Sequence, residues 1–141
     1  MELPFAEDIG HYWKTGISPP DTWMDKAMRV IKDLGGVVTA DAYGSLESRA
    51  AFMMAFEFAG QRFKVVWPVL PSRTNNNLAA KRQAATLLYH DIKAKAMAAS
   101  VLGTRVAFFS YMMLPDGRSA SELANPELSG AFPLQLKRGE E

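Results

Sequence analysis

Residues 50–70 read AAFMMAFEFAGQRFKVVWPVL, and this stretch decides the fold. Phe52, Met54, Phe56 and Phe58 alternate with Ala51, Met53, Ala55 and Glu57, and after Ala59-Gly60, Phe63, Val65, Trp67 and Val69 alternate with Arg62, Lys64 and Val66. Successive side chains of a strand point to opposite faces, so this alternation on both sides of a two-residue joint predicts a β-hairpin over 50–58 and 61–70. One face is apolar and aromatic, suited to a core. The other carries only Arg62, Lys64 and Glu57 as charges. Pro68 has no N–H to give to a ladder, which places the second strand at a sheet edge or bends it there.

Upstream of the hairpin, Ser18-Pro19-Pro20-Asp21 reads as a helix start, with a capping hydroxyl, prolines in the first turn and an acid near the positive end of the dipole. Trp23, Ala27, Val30, Ile31 and Leu34 form one apolar stripe at helical spacing, and Gly35-Gly36 supplies a left-handed stop. Val37–Tyr43 is expected as a short strand followed by a loop over 44–48. Residues 1–17, with Phe5, Ile9, Tyr12, Trp13 and Ile17 set among charges, are expected to form an arm that docks on an apolar host. Downstream, Asn75-Asn76-Asn77 offers an N-cap for a long helix over 78–102, with Gly103 as its end and Ala85, Leu88, Ile92, Ala96 and Ala99 as its inner stripe. Residues 104–114 (TRVAFFSYMML) read as a further strand apolar on both faces, and Pro115–Arg118 as a turn. A short helix around Ser121–Ala124 and a disordered tail 137–141 complete the chain. These pieces predict an α+β domain over 18–136: an antiparallel sheet of three to four strands, the long helix packed on one face, and an N-terminal helix.

At 141 residues the chain has the length of one domain able to bury a core without disulfides or metal. With no cysteine, a thiolate metal site and a cysteine nucleophile are excluded, and a reducing compartment fits. The start, MELPFAEDIGHYWK, lacks the basic end and apolar run of a signal peptide, and no run approaches the roughly 18 apolar residues of a membrane span. A soluble, cytoplasmic protein with no membrane partner is expected. Eight Met and fifteen aromatics exceed what one small core hides, and a strand 104–114 apolar on both sides would need cover, so a homo-oligomer is expected.

Charge is distributed unevenly. Residues 61–118 hold nine Lys/Arg against Asp91 and Asp116, a local balance of +7, while 1–60 and 119–141 carry −4 and −2. A basic middle between acidic flanks points to a polyanion partner. On the long helix, eleven residues turn about 1100°, close to three full turns, so Arg82 and Lys93 share a face with Thr86 and Tyr89. A groove lined by Arg62, Lys64, Arg73, Lys81, Arg82 and Lys93 would hold a nucleic-acid backbone, with Tyr89 as the ring on which a base stacks. Trp67 falls on the apolar face of the hairpin and reads as core.

Catalytic chemistry has little to stand on. His11 and His90 are too far apart in sequence for a local ligand pair, and Asp41, Glu47, Glu57 and Asp91 are scattered acids of the kind any domain carries. Ser72, Ser100 and Ser110 lack a nucleophile-elbow context, and Gly35-Gly36 lacks the frame of a phosphate loop. A non-enzymatic protein with no metal, cofactor or small-molecule substrate is therefore expected.

The order of elements, a helix, a three-stranded meander with a long hairpin, then a basic helix after a polar linker, resembles the core of the single-strand annealing proteins of phages and of eukaryotic recombination mediators. The resemblance covers about residues 18–103. Its local echo runs from Ala80-Lys81-Arg82-Gln83-Ala84-Ala85 through Ile92-Lys93-Ala94-Lys95-Ala96 to Leu102-Gly103. It implies a ring- or filament-forming protein of phage or mobile-element recombination, with single-stranded DNA in a basic groove formed by Arg62, Lys64, Arg73, Lys81, Arg82 and Lys93. The alternative expectation is a structural or adaptor protein that self-associates through Met- and Phe-rich surfaces.

Overall fold

The computed structural model describes residues 3–16, 18–46 and 49–129. The expected tail 137–141, the end of the expected domain at 130–136, Ile17 of the arm, and Glu47 and Ser48 lie outside the described residues.

Three strands form one antiparallel sheet in the order β1 (Val37–Leu46), β2 (Arg49–Phe58), β3 (Gln61–Val69). The β2–β3 hairpin turns on Ala59 at φ 49° and Gly60 at φ 82°, positive at both central positions as a type I′ turn requires. Phe52, Met54 and Phe56 stand opposite Trp67, Val65 and Phe63, so the apolar rungs predicted from the alternation share one face. β1 runs three residues beyond the expected end. Gly44, Ser45 and Leu46, expected in a loop, pair with Ala51, Ala50 and Arg49, because the adjacent strand supplies ladder partners that outweigh the turn-like local composition. The register shifts between Val38 and Ala40, which leaves Val38, Asp41 and Tyr43 opposite Phe56, Met54 and Phe52.

Two helices, α2 (Pro20–Asp33) and α3 (Asn77–Leu102), cover that face. Met24, Ala27 and Ile31 from α2 and Ala84, Ala85, Leu88, Ile92 and Ala99 from α3 join Phe52, Met54, Phe56, Phe58, Phe63 and Val65 in one core. Ala96 of the expected stripe is only half-buried. The expected Ser18 cap is absent: Pro19 occupies the N-cap position and makes no side-chain bond there. Gly35, at φ 94°, provides the predicted stop, but Gly36 has a different task. A Cβ on Gly36 would lie 2.6 Å from the Phe58 ring and 2.8 Å from Ile31, so only glycine lets α2 and β2 approach this closely. At the start of α3 the Asn76 side chain accepts from the Ala79 N–H at 3.2 Å, and Gly103 ends the helix at φ 85°, both as the sequence predicts.

The expected strand 104–114 does not form. Thr104–Ala107 is a helical turn, α4, and Phe109–Tyr111 a 3-10 turn; Met112 and Met113 make only isolated bridges, to Phe63 and Ser119. The buried residues are Phe108 and Tyr111, three apart, with Val106 and Phe109 exposed. That is helical spacing in a run so uniformly apolar that it can also be read at period 2. Phe108 completes a ring cluster with Phe56, Phe58 and Phe63, at centroid distances of 5.5, 5.4 and 6.1 Å.

The N-terminal arm docks on its own chain. Its helical turn α1 (Ala6–Ile9) gives the Ala6 N–H to the Pro71 carbonyl at 2.8 Å, and the fully buried Gln83 amide of α3 donates to the carbonyls of Ala6 at 3.0 Å and His11 at 3.1 Å. On the opposite face of the sheet, Ala51, Met53, Ala55 and Val66 are buried, with Leu128 packed against them. The short helix α5 (Ala120–Ala124) begins with a capping box: the Ser119 hydroxyl accepts from the Glu122 N–H and the Glu122 carboxylate accepts from the Ser119 N–H.

Candidate nucleic-acid interface

The six cations grouped from the sequence do not share one surface. Period-2 register turns Arg62 and Lys64 to the face of the sheet away from α3, with Arg62 opposite Glu57. Lys64 is no phosphate ligand: it is 3% exposed, with its ammonium 2.8 Å from the Glu122 carboxylate and donating to the Gly117 carbonyl at 2.7 Å. Arg73 is drawn to the arm, where its guanidinium forms a two-pronged pair with Asp8 and lies 4.6 Å from the Phe5 ring. The Asp8 hydrogen bond, more than the Asp8 and Glu7 charges, raises its pKa above the ordinary range. Lys81 sits over Tyr43 of β1 at 3.9 Å.

Arg82, Tyr89 and Lys93 do share one ridge of α3, and other elements bring aromatic and basic residues to it. Trp23 from α2 lies 5.4 Å from Tyr89 and 5.9 Å from His90, and Tyr12 from the arm stacks on His90 at 4.9 Å with the rings 8° from parallel. Tyr12 is 39% exposed, and Trp23, Tyr89 and His90 are half-buried, so each ring has one side in the protein and an edge or face in solvent. Cations border the cluster: Lys26 Nζ lies 4.5 Å from the Trp23 ring and Lys93 Nζ 5.9 Å from Tyr89. Arg82 and Lys14 line a cavity of about 470 Å³ next to it, bounded by Tyr12, Trp23 and Asn76.

The helical phase of α3 is enough to place Arg82, Tyr89 and Lys93 on one ridge from the sequence. Tyr12, Lys14, Trp23, Lys26 and His90, which gather around that ridge, come from the arm, α2 and the next position of α3, and no local pattern links them to it. Trp23 packs against the core as its place in the α2 stripe predicts, yet it is only partly buried, and Lys26, three residues on, lies over the part of the ring left outside.

The acids do not converge. Asp41 lies near Asp21 and Asp25 between β1 and α2, Glu57 is on the far face of the sheet, and Asp91 accepts from Lys95 and from the Tyr111 hydroxyl. Burial first, then the Asp91 charge and hydrogen bond, raises the Tyr111 pKa, so the phenol remains protonated. Among the described residues no cluster of three or more His, Cys, Asp or Glu could hold a metal ion, and no helix is long and apolar enough to cross a membrane. No protein-family model matches the chain, and no curated protein or solved structure matches it either.

Proposed function

We propose that this protein binds single-stranded nucleic acid, single-stranded DNA first, without acting as an enzyme, and that it serves strand annealing in phage or mobile-element recombination. One observation carries the binding reading: half-exposed rings of Tyr12, Trp23, Tyr89 and His90 gathered from three elements and bordered by Lys14, Lys26, Arg82 and Lys93. Rings offer sequence-tolerant stacking worth about 1–3 kcal/mol per base, and cations beside them neutralise the backbone. Four phosphate contacts on a single strand correspond to a salt slope near −3, or about fiftyfold weaker binding between 50 and 200 mM salt. Fluorescence anisotropy with a labelled oligothymidine at those two salt concentrations tests this. Absent or salt-insensitive binding overturns it.

A second reading has its own observation. At the end of α3 and in the turns after it, Met97, Val101, Leu102, Val106 and Phe109 are all more than half exposed, Val101 at 84%. Such a contiguous apolar surface suits a self-associating structural or adaptor protein. A mass above one chain by light scattering, together with no DNA binding at low salt, favours this reading over the first.

A further inference from the structure

We infer that the cavity between the N-terminal arm and the first turns of α3 is a nucleotide subsite, in which Arg82 holds a phosphate and the rings of Tyr12 and Trp23 bound the space for a base. For a strand as its source, the inference rests on the single-strand binding proposed above.

Arg82 carries the argument. Its Nε is the one buried side-chain nitrogen or oxygen without a hydrogen-bond partner among the described residues, and its guanidinium pairs with no acid. Three other arginines show the ordinary arrangement: Arg49 is paired with Glu127, Arg73 with Asp8 and Arg118 with Asp116. A buried N–H without an acceptor is uncommon in a folded protein; that N–H is closed to solvent, so what Arg82 offers the cavity is the rest of its guanidinium, with no acid drawn against it. Among the described residues no carboxylate lines the cavity, while Lys14 adds a second positive charge and Ser18 a hydroxyl. Two cations with no acid select an anion, and the planar fork of arginine suits the oxygens of a phosphate.

The rings narrow the choice of anion. Tyr12 and Trp23 form part of the same wall, so the space offers a flat apolar boundary within reach of the phosphate position, the composition a nucleotide needs. A volume of about 470 Å³ lies in the range of small-ligand sites, about 300–1,000 Å³. Backbone conformation agrees. Tyr12 at φ 59° and Lys14 at φ 58° are both left-handed without being glycine, and both line the cavity. Conformations this unfavourable for L-residues concentrate where side chains are held for binding. Trp23 also belongs to the half-buried ring cluster, so a strand lying across Tyr89 and Trp23 would place one of its nucleotides in the cavity.

The shared chemistry is a phosphate attached to a nucleoside, and its source is either a free mononucleotide or one unit of a strand. Calorimetric titration of the full chain with thymidine 5′-monophosphate, thymidine, inorganic phosphate and a twelve-residue oligothymidine separates these. The mononucleotide is expected to bind at least tenfold more tightly than either thymidine or phosphate, a comparison on the wild-type protein that needs no variant. Arg82→Gln is expected to weaken mononucleotide binding at least tenfold without lowering the melting temperature, since the side chain it removes has no partner to lose. Lys93→Gln, outside the cavity, is expected to weaken the oligomer and leave the mononucleotide unchanged. Should the mononucleotide fail to bind while oligomer affinity falls at least tenfold in Arg82→Gln, the subsite stands and its source is the strand. A mononucleotide that binds through Arg82 while the oligomer does not bind supports the subsite and overturns the proposed function. Oligomer binding indifferent to Arg82, with no mononucleotide binding, overturns the subsite and leaves the function standing. Equal affinity for phosphate and mononucleotide overturns the role of the rings.

Discussion

Lys64 and Arg82 both belong to the basic middle of the chain, yet the two faces of the sheet treat them in opposite ways. On the outer face, the Lys64 ammonium is 3% exposed, 2.8 Å from Glu122, and joins β3 to the capping box of α5. On the α2–α3 side, Arg82 lines an open cavity with no acid among its described lining residues, beside rings that reach solvent. The first cation is part of the scaffold. The second has no acid paired with it among the described residues. A local balance of +7 therefore overstates the positive surface, because Lys64 and Arg73 are committed to carboxylates supplied by the acidic flanks.

The largest effect expected from this contrast is on stability. Glu122→Ala leaves a buried ammonium unpaired and removes half of the capping box, a loss of about 3–5 kcal/mol. Thermal melting should show a drop of many degrees, and the double variant Lys64→Met/Glu122→Leu, which removes both charges, should recover most of it. An unchanged melting curve for Glu122→Ala would mean the pair is hydrated and the contrast is false.

Binding comes next. Replacing Arg82 and Lys93 with Glu should weaken oligothymidine binding by at least tenfold and reduce the salt slope by about one to two units. Arg105→Glu is the control: Arg105 is exposed in the same basic segment but lies outside the ring cluster. Equal losses in both would show that overall charge, not this face, drives association. Lys26→Gln removes one cation over Trp23 and one backbone contact, and about a threefold loss is expected, with the intrinsic fluorescence of the indole reporting the change.

The smallest effect sharpens the comparison through acid. Burial alone would push the Glu7 carboxyl up, but donors from its own backbone, the Ser72 hydroxyl, the Arg73 N–H and the Thr74 hydroxyl outweigh it and hold the pKa at about 2, below the ordinary 4.5. A folded-state pKa lowered in this way contributes stability that is complete above the unfolded value and is lost as pH falls through the range from 4.5 towards 2. The arm should then loosen in that window, carrying Tyr12 and Lys14 away from Arg82. Trp13 fluorescence should report this, and Ser72→Ala should move the transition to higher pH. A flat Trp13 signal down to the point where circular dichroism shows global unfolding would refute the role given to Glu7.

Much of the fold was legible because its signals are local. The hairpin follows from the alternation around Ala59-Gly60, and α3 from an asparagine that caps one end and a glycine that stops the other. Where a local signal was ambiguous, the reading failed. Residues 104–114 are so apolar that both periods fit, and only the space beside Phe56, Phe58 and Phe63 decides that Phe108 and Tyr111 turn inward. Gly44–Leu46 looked like a loop until β2 lay alongside. Gly36 passed as part of a helix stop, although its role is set by Phe58, more than twenty positions away.

By itself the sequence determined α2, α3 and α5, the hairpin and its apolar face, and the ridge that aligns Arg82, Tyr89 and Lys93, since each depends on backbone geometry repeating over a few residues. Only the tertiary structure decided which cations keep a free charge. Pairing depends on distance in space, and the partners of Lys64 and Arg73 lie 58 and 65 positions away in the chain. The same is true of the rings: Tyr12, Trp23 and Tyr89 belong to three elements that meet only when α2 and the arm pack against α3.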